Sequence, residues 1–483
     1  MDVNGSLASP GNRATRHARA GAAIFALHVA VAALYKELAG VSLDPGPDFT
    51  WDASWHLMPL DLLKSHLVAT LGDLHAQPPF YNLWCGIFVK LFAPNHIVAM
   101  HYPSIILGGL IAAMVYGLLR RLVSNQKAAF FIAALLALNP ALFLFEANLG
   151  YDLITAFWAT LAVYGTARFY DGRQDAWLWV GILALNLLIL TRSMYHPALL
   201  SVFIPLACIA AGKRWRRTLA VALILSLLPL GWCVKNATRF GFFGTSSWAG
   251  QNWWTHVSAN YDRADLTGFI DAGFIDAVVL DVLVWNRPDA YESYGFNKRS
   301  PRSALSRNNY NNLNIVDISR LYGRNAARLV YHQPFHYLVN VAKAFRIYCT
   351  PTSRTKFVQA NAGKMGFHEA FVSQIVQGQY FTGLLARFVR KDPFLSFWFF
   401  VLPGSLIALA VKAWRRCGWS REAWLEYARG DGLLPALALL ILYTTVVACL
   451  FDYGENGRFR FAIEPILWPF VIGVICARRS RTP

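Results

Sequence analysis

Apolar runs of spanning length recur along the chain, separated by short polar stretches. A helix needs about 20 predominantly apolar residues to cross the hydrocarbon core of a bilayer. Residues 21–40 form the first such run, with Lys36 and Glu37 near its far end at headgroup level. Further runs follow at roughly 101–121, 127–145, 152–170, 176–193, 197–211, 218–234, 391–412, 433–450 and 460–477. The pattern predicts an all-α polytopic membrane protein, a bundle of about ten transmembrane helices. The apolar piece 80–93 is too short to cross and suits an interfacial or re-entrant helix within a first outer loop, 41–100. Residues 235–390 have few long apolar runs and read as a mostly helical outer segment, with an amphipathic helix over 324–348. The chain thus divides into an N-terminal membrane module (1–234), an outer segment (235–390) and C-terminal membrane helices (391–483).

Composition agrees with the pattern. Hydrophobic residues make up 56% of the 483 and charged residues 15%, against roughly 45–50% and 25% in soluble domains. The net charge of +18 would suit a nucleic-acid binder, but its distribution excludes that class. Arg13, Arg16 and Arg19, Arg120 and Arg121, Arg168 and Arg173, Lys213 to Arg217, Lys412 to Arg416, and Arg478 to Arg481 all sit at ends of apolar runs. That is the distribution of short cytoplasmic loops. It sets both termini in the cytoplasm and the first run as a retained span rather than a cleaved leader. The expected setting is a bacterial inner membrane with a periplasmic active site. The seven cysteines form no CxxC pair and read as buried, inert thiols, with a Cys85–Cys349 bridge left open. His56, His66 and His75 share the first loop at spacings that match no zinc signature. No cofactor is assigned, and a divalent metal stays open.

Four stretches carry the candidate chemistry. The first loop holds Trp51-Asp52-Ala53-Ser54-Trp55-His56 and, further on, His75-Ala76-Gln77-Pro78-Pro79-Phe80-Tyr81. The prolines fit the start of the interfacial helix, which would hold His75 and Gln77 at the membrane surface. An aspartate there is either a general base on an acceptor hydroxyl or amine, or a solvated loop carboxylate. Glu146 and Asp152 flank a turn between two spans, with Tyr151 beside them. Facing lipid they would be costly, so they line a cavity or an exposed loop. Arg192 ends its apolar run, either as an ordinary loop residue or paired with a carboxylate or phosphate. Lys235 leaves a span at headgroup level, and Arg458 and Arg460 enter the last one. Arginines on an outer surface oppose the positive-inside preference. Either a polyanionic ligand or pairing with Asp452 and Glu455 accounts for them.

Taken together, these stretches resemble the GT-C glycosyltransferases that use polyprenyl-phosphate sugars, most closely the protein O-mannosyltransferase and lipid A aminoarabinose transferase branch. Trp51-Asp52 stands where that family has an acidic motif after the first span. His75 to Tyr81 resembles its His/Lys-Pro-Pro-Leu-Tyr-Tyr element, and His101-Tyr102-Pro103-Ser104 its next segment. Asp152 resembles its second acid. Trp232-Cys233-Val234-Lys235-Asn236 with Phe240-Gly241 is similar to Pro-Trp-x-x-Arg-Asn-x-x-x-x-Gly, and Gly457 to Ala462 with Glu464-Pro465 to Arg-Tyr-Arg-Leu-Pro-x-x-Pro. Ala53 replaces the usual Glu, Ala76-Gln77 separates His75 from the prolines, and Lys235 stands where Arg is common.

The resemblance implies an inverting transfer of sugar from a polyprenyl-phosphate donor to a glycolipid, polysaccharide or protein acceptor on the non-cytoplasmic face. Asp52 and Asp152 would be catalytic. Arg458, Arg460 and Lys235 would bind the donor phosphate. His75, Gln77, Tyr81, Glu146 and Tyr151 would bind substrate. A transporter or flippase of lipid-linked sugars would share the cavity and the cations. It would also be expected to show internal repeats and a midplane site, and neither is evident in the sequence.

Overall fold

The computed structural model describes residues 10–43, 51, 54–299, 311–377 and 397–476. Every regular element among them is a helix. The N-terminal part contains α1 (Pro10–Ala39), α2 (Leu60–Asp73), α3 (Pro79–Phe92), α4 (His96–Leu122), α5 (Gln126–Ala137), α6 (Pro140–Glu146), α7 (Asp152–Gly172), α8 (Asp175–Thr191), α9 (Leu200–Ala211) and α10 (Trp215–Phe240). The middle part contains α11 (Ala249–Val257), α12 (Arg263–Asp271), α13 (Val278–Asp281), α14 (Asn314–His332), α15 (Pro334–Tyr348), α16 (Gln359–Ala362) and α17 (Gly366–Val376). The C-terminal part contains α18 (Trp398–Cys417), α19 (Arg421–Asp431), α20 (Leu433–Phe451), α21 (Asn456–Phe461) and α22 (Glu464–Cys476).

Each predicted span corresponds to one of these helices or to a bent pair. By length and composition, five stretches are long and apolar enough to cross a membrane: Thr15–Ala39, His96–Leu122, Pro197–Phe240, Trp398–Cys417 and Leu433–Phe451. The chain is an integral membrane protein on that ground, while the count of ten remains a sequence expectation. The 44-residue stretch Pro197–Phe240 folds back on itself. Gly212, at φ 59°, turns the chain between α9 and α10, which then pack side by side. The predicted span at 127–145 is α5 and α6, bent by 47°. The bend has a local cause: Asn139 caps α6 by accepting from the Ala141 amide, and Pro140 sits in its first turn. α8 and α22 are apolar but shorter, at 17 and 13 residues.

Pro78 and Pro79 start α3 as expected, giving a 14-residue helix. The loop also contains α2, which packs on α3 and buries Leu62, Leu63 and Leu67 against it. The helix expected over 324–348 is two helices. α14 ends at His332 and Pro334 opens α15, because Gln333 before the proline is held out of helical geometry (φ −128°, ψ 54°). α14 buries Ile315, Ile318, Tyr322, Ala326 and Leu329, a 3.6-residue stripe. This stripe meets Trp248 and Trp254 of the α11 region in a separate apolar core. Gly250 makes that approach possible, since a Cβ there would lie 1.9 Å from the Ser319 carbonyl oxygen.

The largest core draws on α4, α7, α8, α15, α20 and α22 together, so the first and last thirds of the chain share one interior. No disulfide is present among the described cysteines, and Cys85 and Cys349 are buried free thiols.

Candidate active site

Asp152 opens α7, where a carboxylate is favoured by the orphan amides of the first turn. It is buried, with about 1% of its side chain exposed. One oxygen, Oδ1, accepts from Arg192 Nη1 at 2.5 Å, and the other, Oδ2, accepts from Arg458 Nε at 2.9 Å. Arg192 is the residue at which α8 ends, in extended backbone that swings its side chain inward. Arg458 comes from α21 and also donates to Glu455 Oε2 at 3.1 Å. The Tyr151 ring lies 5.0 Å from the Arg192 guanidinium carbon and 5.2 Å from that of Arg458. Four charges from three separate parts of the chain thus balance inside the protein. Desolvating them is costly, and the fixed geometry offsets that cost only while all partners are present.

One donor remains over. Arg192 Nη2 is buried and has no hydrogen-bond partner among the described residues, in a side chain 1% exposed. Arg192 and Tyr151 line a cavity of about 1020 Å³. Its other walls bring together Gln77 and Trp55 from the first loop, Trp248 and Trp285 from the middle segment, and Lys356, Asp452 and Glu455. Asp452 follows α20 and is pinned through its backbone: its carbonyl accepts from His256 Nδ1 at 2.8 Å and from Asn456 Nδ2 at 2.9 Å. Glu455 pairs with Arg458 and, at 3.4 Å, with Lys356. Asp452 makes no ion pair among the described residues. Burial, reinforced by the charge of Glu455, pushes its carboxyl up to about 7.

The sequence candidates distribute unevenly around this cavity. Asp52 lies outside the described residues; Trp55, three positions on, is on the cavity wall. Gln77 also lines it, and its Oε1 is buried without a partner. Tyr81 packs within 5.9 Å of Tyr151, ring to ring, beside His56. His75 is buried with both ring nitrogens engaged, Nδ1 with Ser247 Oγ at 2.9 Å and Nε2 with the Asn311 carbonyl at 2.8 Å. Burial lowers its pKa to about 3, so it stays neutral. Glu146 faces away into the bundle, where His28 Nε2 meets its Oε1 at 2.5 Å. A Cβ at Gly108 would stand 1.7 Å from that same oxygen, so α4 needs a glycine there.

None of the three cations expected to hold phosphate lines the cavity. Arg458 is engaged by Asp152 and Glu455. Arg460 turns to the other side, donating to the Thr350 carbonyl at 3.0 Å and facing Glu464 at 3.6 Å. Residues two apart on a helix point roughly 200° apart, so the pair could not share one ligand. Lys235 donates to the Leu74 carbonyl at 2.5 Å, with its ammonium 3.4 Å from the centre of the Trp232 ring. The cations on the cavity are Arg192 and Lys356, together with Arg320 at its rim. The sequence left Arg192 between an ordinary loop residue and a partner of a carboxylate or phosphate, and did not single out Lys356. The available signal was a charge at the end of an apolar run, where exposure to lipid is penalised.

No group of three or more His, Cys, Asp or Glu side chains among the described residues is arranged to hold a metal ion. His56 is occupied through Nε2 by the Leu149 carbonyl at 3.0 Å, and burial with the nearby Arg458 charge lowers its pKa to about 4.

Residues 76–233, 158 of the 483, match the family described as dolichyl-phosphate-mannose-protein mannosyltransferase. That region runs from the end of the first-loop motif to α10 and includes Asp152 and Arg192. The match supports the resemblance to GT-C glycosyltransferases. No match is found among curated proteins. Among solved structures, an oligosaccharyltransferase of Archaeoglobus fulgidus, crystallised with zinc and sulfate, is 15% identical with a TM-score of 0.33. The alignment covers 95% of this chain and 53% of that one, so this chain spans about half its length. A superposition that loose carries no argument about the site.

Proposed function

We propose that this protein is a membrane glycosyltransferase that moves a sugar from a polyprenyl-phosphate donor to a glycolipid, polysaccharide or protein acceptor on the non-cytoplasmic face of a bacterial inner membrane. The observation that carries the reading is the unpartnered Nη2 of Arg192, buried in the wall of a large cavity and held by Asp152. A buried guanidinium nitrogen without an acceptor is a ready site for a phosphate oxygen. The family match over the same helices supports the direction of the chemistry.

In this reading Asp152 is a positioning residue. It fixes Arg192 and Arg458 and does not itself take a proton. The acceptor hydroxyl loses its proton to Asp52 as its oxygen bonds to the anomeric carbon. The bond from that carbon to the phosphate oxygen breaks, and the electron pair leaves with polyprenyl phosphate. Attack opposite the leaving group inverts the anomeric centre. Asp452, near Arg192 and protonated below about 7, donates a hydrogen bond to the phosphate rather than repelling it. Lys356 adds positive charge at the same wall.

The test is turnover of a panel of synthetic polyprenyl-phosphate sugars by the purified chain in nanodiscs, wild type beside Asp52→Asn. Transfer that collapses in the variant, with donor still bound, supports the reading. Donor binding without turnover in both, with movement of the lipid across a vesicle bilayer, overturns it in favour of a flippase.

A further inference from the structure

The cavity wall also carries a cluster of aromatic rings. Trp55, Trp248 and Trp285 meet there. The rings of Trp55 and Trp248 stack at 5.3 Å between centroids, with planes 30° apart. Trp285 stands edge-on to Trp248 at 5.5 Å and lies 6.3 Å from Trp55. Trp248 is almost fully buried, while Trp285 is 41% exposed, so the outer rings face the open space. Trp285 is oriented by its own indole nitrogen, which donates to Thr255 Oγ1 at 2.9 Å.

One polar atom on the same cavity, Gln77 Oε1, in a side chain 4% exposed, lacks a partner among the described residues. The wall therefore combines flat aromatic faces with an unmet acceptor. A lipid tail would fill the aromatic surface and leave that oxygen unsatisfied. None of the three clustered tryptophans stands on a stretch apolar and long enough to cross a membrane. A polyprenyl chain would have to leave the bilayer to reach them. A pyranose ring fits the inventory, because its C–H face is apolar and its edge carries hydroxyls that donate and accept.

We propose that this aromatic wall is a carbohydrate subsite and that the acceptor is a glycan. One sugar rests on Trp285 and Trp55 and donates a hydroxyl to Gln77 Oε1. The inference rests on the transferase reading above for its role, but the site can be tested without donor.

The probes are free tri- and tetrasaccharides of hexose and N-acetylhexosamine, and a Ser/Thr-containing peptide. Each is titrated against the full chain in nanodiscs, read by tryptophan fluorescence and saturation-transfer NMR. Saccharide binding is expected, weakened about tenfold in Trp285→Ala, the loss of one aromatic contact of about 1.4 kcal/mol. Trp285→Phe should recover part of it. Saccharide binding that is absent, or identical in Trp285→Ala, overturns the subsite, as does a peptide that competes at equal affinity. Donor turnover is measured in parallel. Saccharide binding with no donor consumed would sink the transferase reading alone. Donor consumed with peptide as acceptor and no saccharide bound would sink the glycan inference alone.

Discussion

Replacing Asp152 by Asn separates a positioning carboxylate from a catalytic one. Asn keeps the shape and an acceptor oxygen but removes the negative charge that two arginines share. The amide has one acceptor oxygen where the carboxylate has two, so only one of Arg192 and Arg458 would keep a bond to this side chain, and that to a neutral group. Both guanidiniums are about 1% exposed, so solvent cannot stand in for the lost charge. Breaking a buried pair in this way costs about 3–5 kcal/mol. In a chain of this size each kcal/mol moves an apparent melting temperature by on the order of 2 °C, so a fall of about 5–10 °C is expected. Arg192 would also lose its orientation toward the cavity, raising the donor KM. The assay is paired: a thermal melt in detergent, and steady-state kinetics with varied donor. A melting temperature and donor KM like wild type, with kcat lost, would refute the positioning role and return Asp152 to the chemistry.

The pH profile should carry a limb from Asp452. Its carboxyl titrates near 7, the neutral form is present below that value, and the charge gained above it repels the donor phosphate. Donor kcat/KM should therefore fall toward about tenfold per unit above 7, and Asp452→Asn should flatten that limb; a limb that persists in the variant rules Asp452 out. Gly108→Ala would drive a methyl into the His28–Glu146 pair, and a melting temperature lowered by overpacking worth about 1–3 kcal/mol is the expected result. An unshifted melt would mean that α4 can withdraw. Gly250→Ala should part α11 from α14 and weaken saccharide binding more than donor binding; equal losses of both would point to general unfolding.

The spans were legible because lipid demands one signal, a long apolar run, and local chemistry did the rest. Pro78-Pro79 marked the start of α3 correctly, since proline suits a first turn and no other part of a helix. α2 was passed over because Lys64, His66 and Asp73 dilute its apolar stripe, although Leu62, Leu63 and Leu67 were there to be read. The charges were harder. Asp152 finds Arg192 40 residues away and Arg458 306 residues away, and no local pattern announces such pairing. Arg458 and Arg460 look like a matched pair in sequence, yet the helix sends them to opposite sides. Glu146 read as lining either a cavity or an exposed loop, and only the fold reveals His28 opposite it.

The Asp152–Arg458 bond also bears on how the protein is made. The aspartate emerges early in synthesis and its second arginine near the end, so for most of translation the pocket lacks its keystone. Until α21 docks, Asp152 and Arg192 form a neutral pair in which one carboxylate oxygen still lacks its arginine, and water has reason to enter. Closure of the site and completion of the bundle are then one event. A truncated chain would expose this defect directly to the membrane's quality-control proteases, and a cell could sort finished from unfinished copies without any dedicated signal.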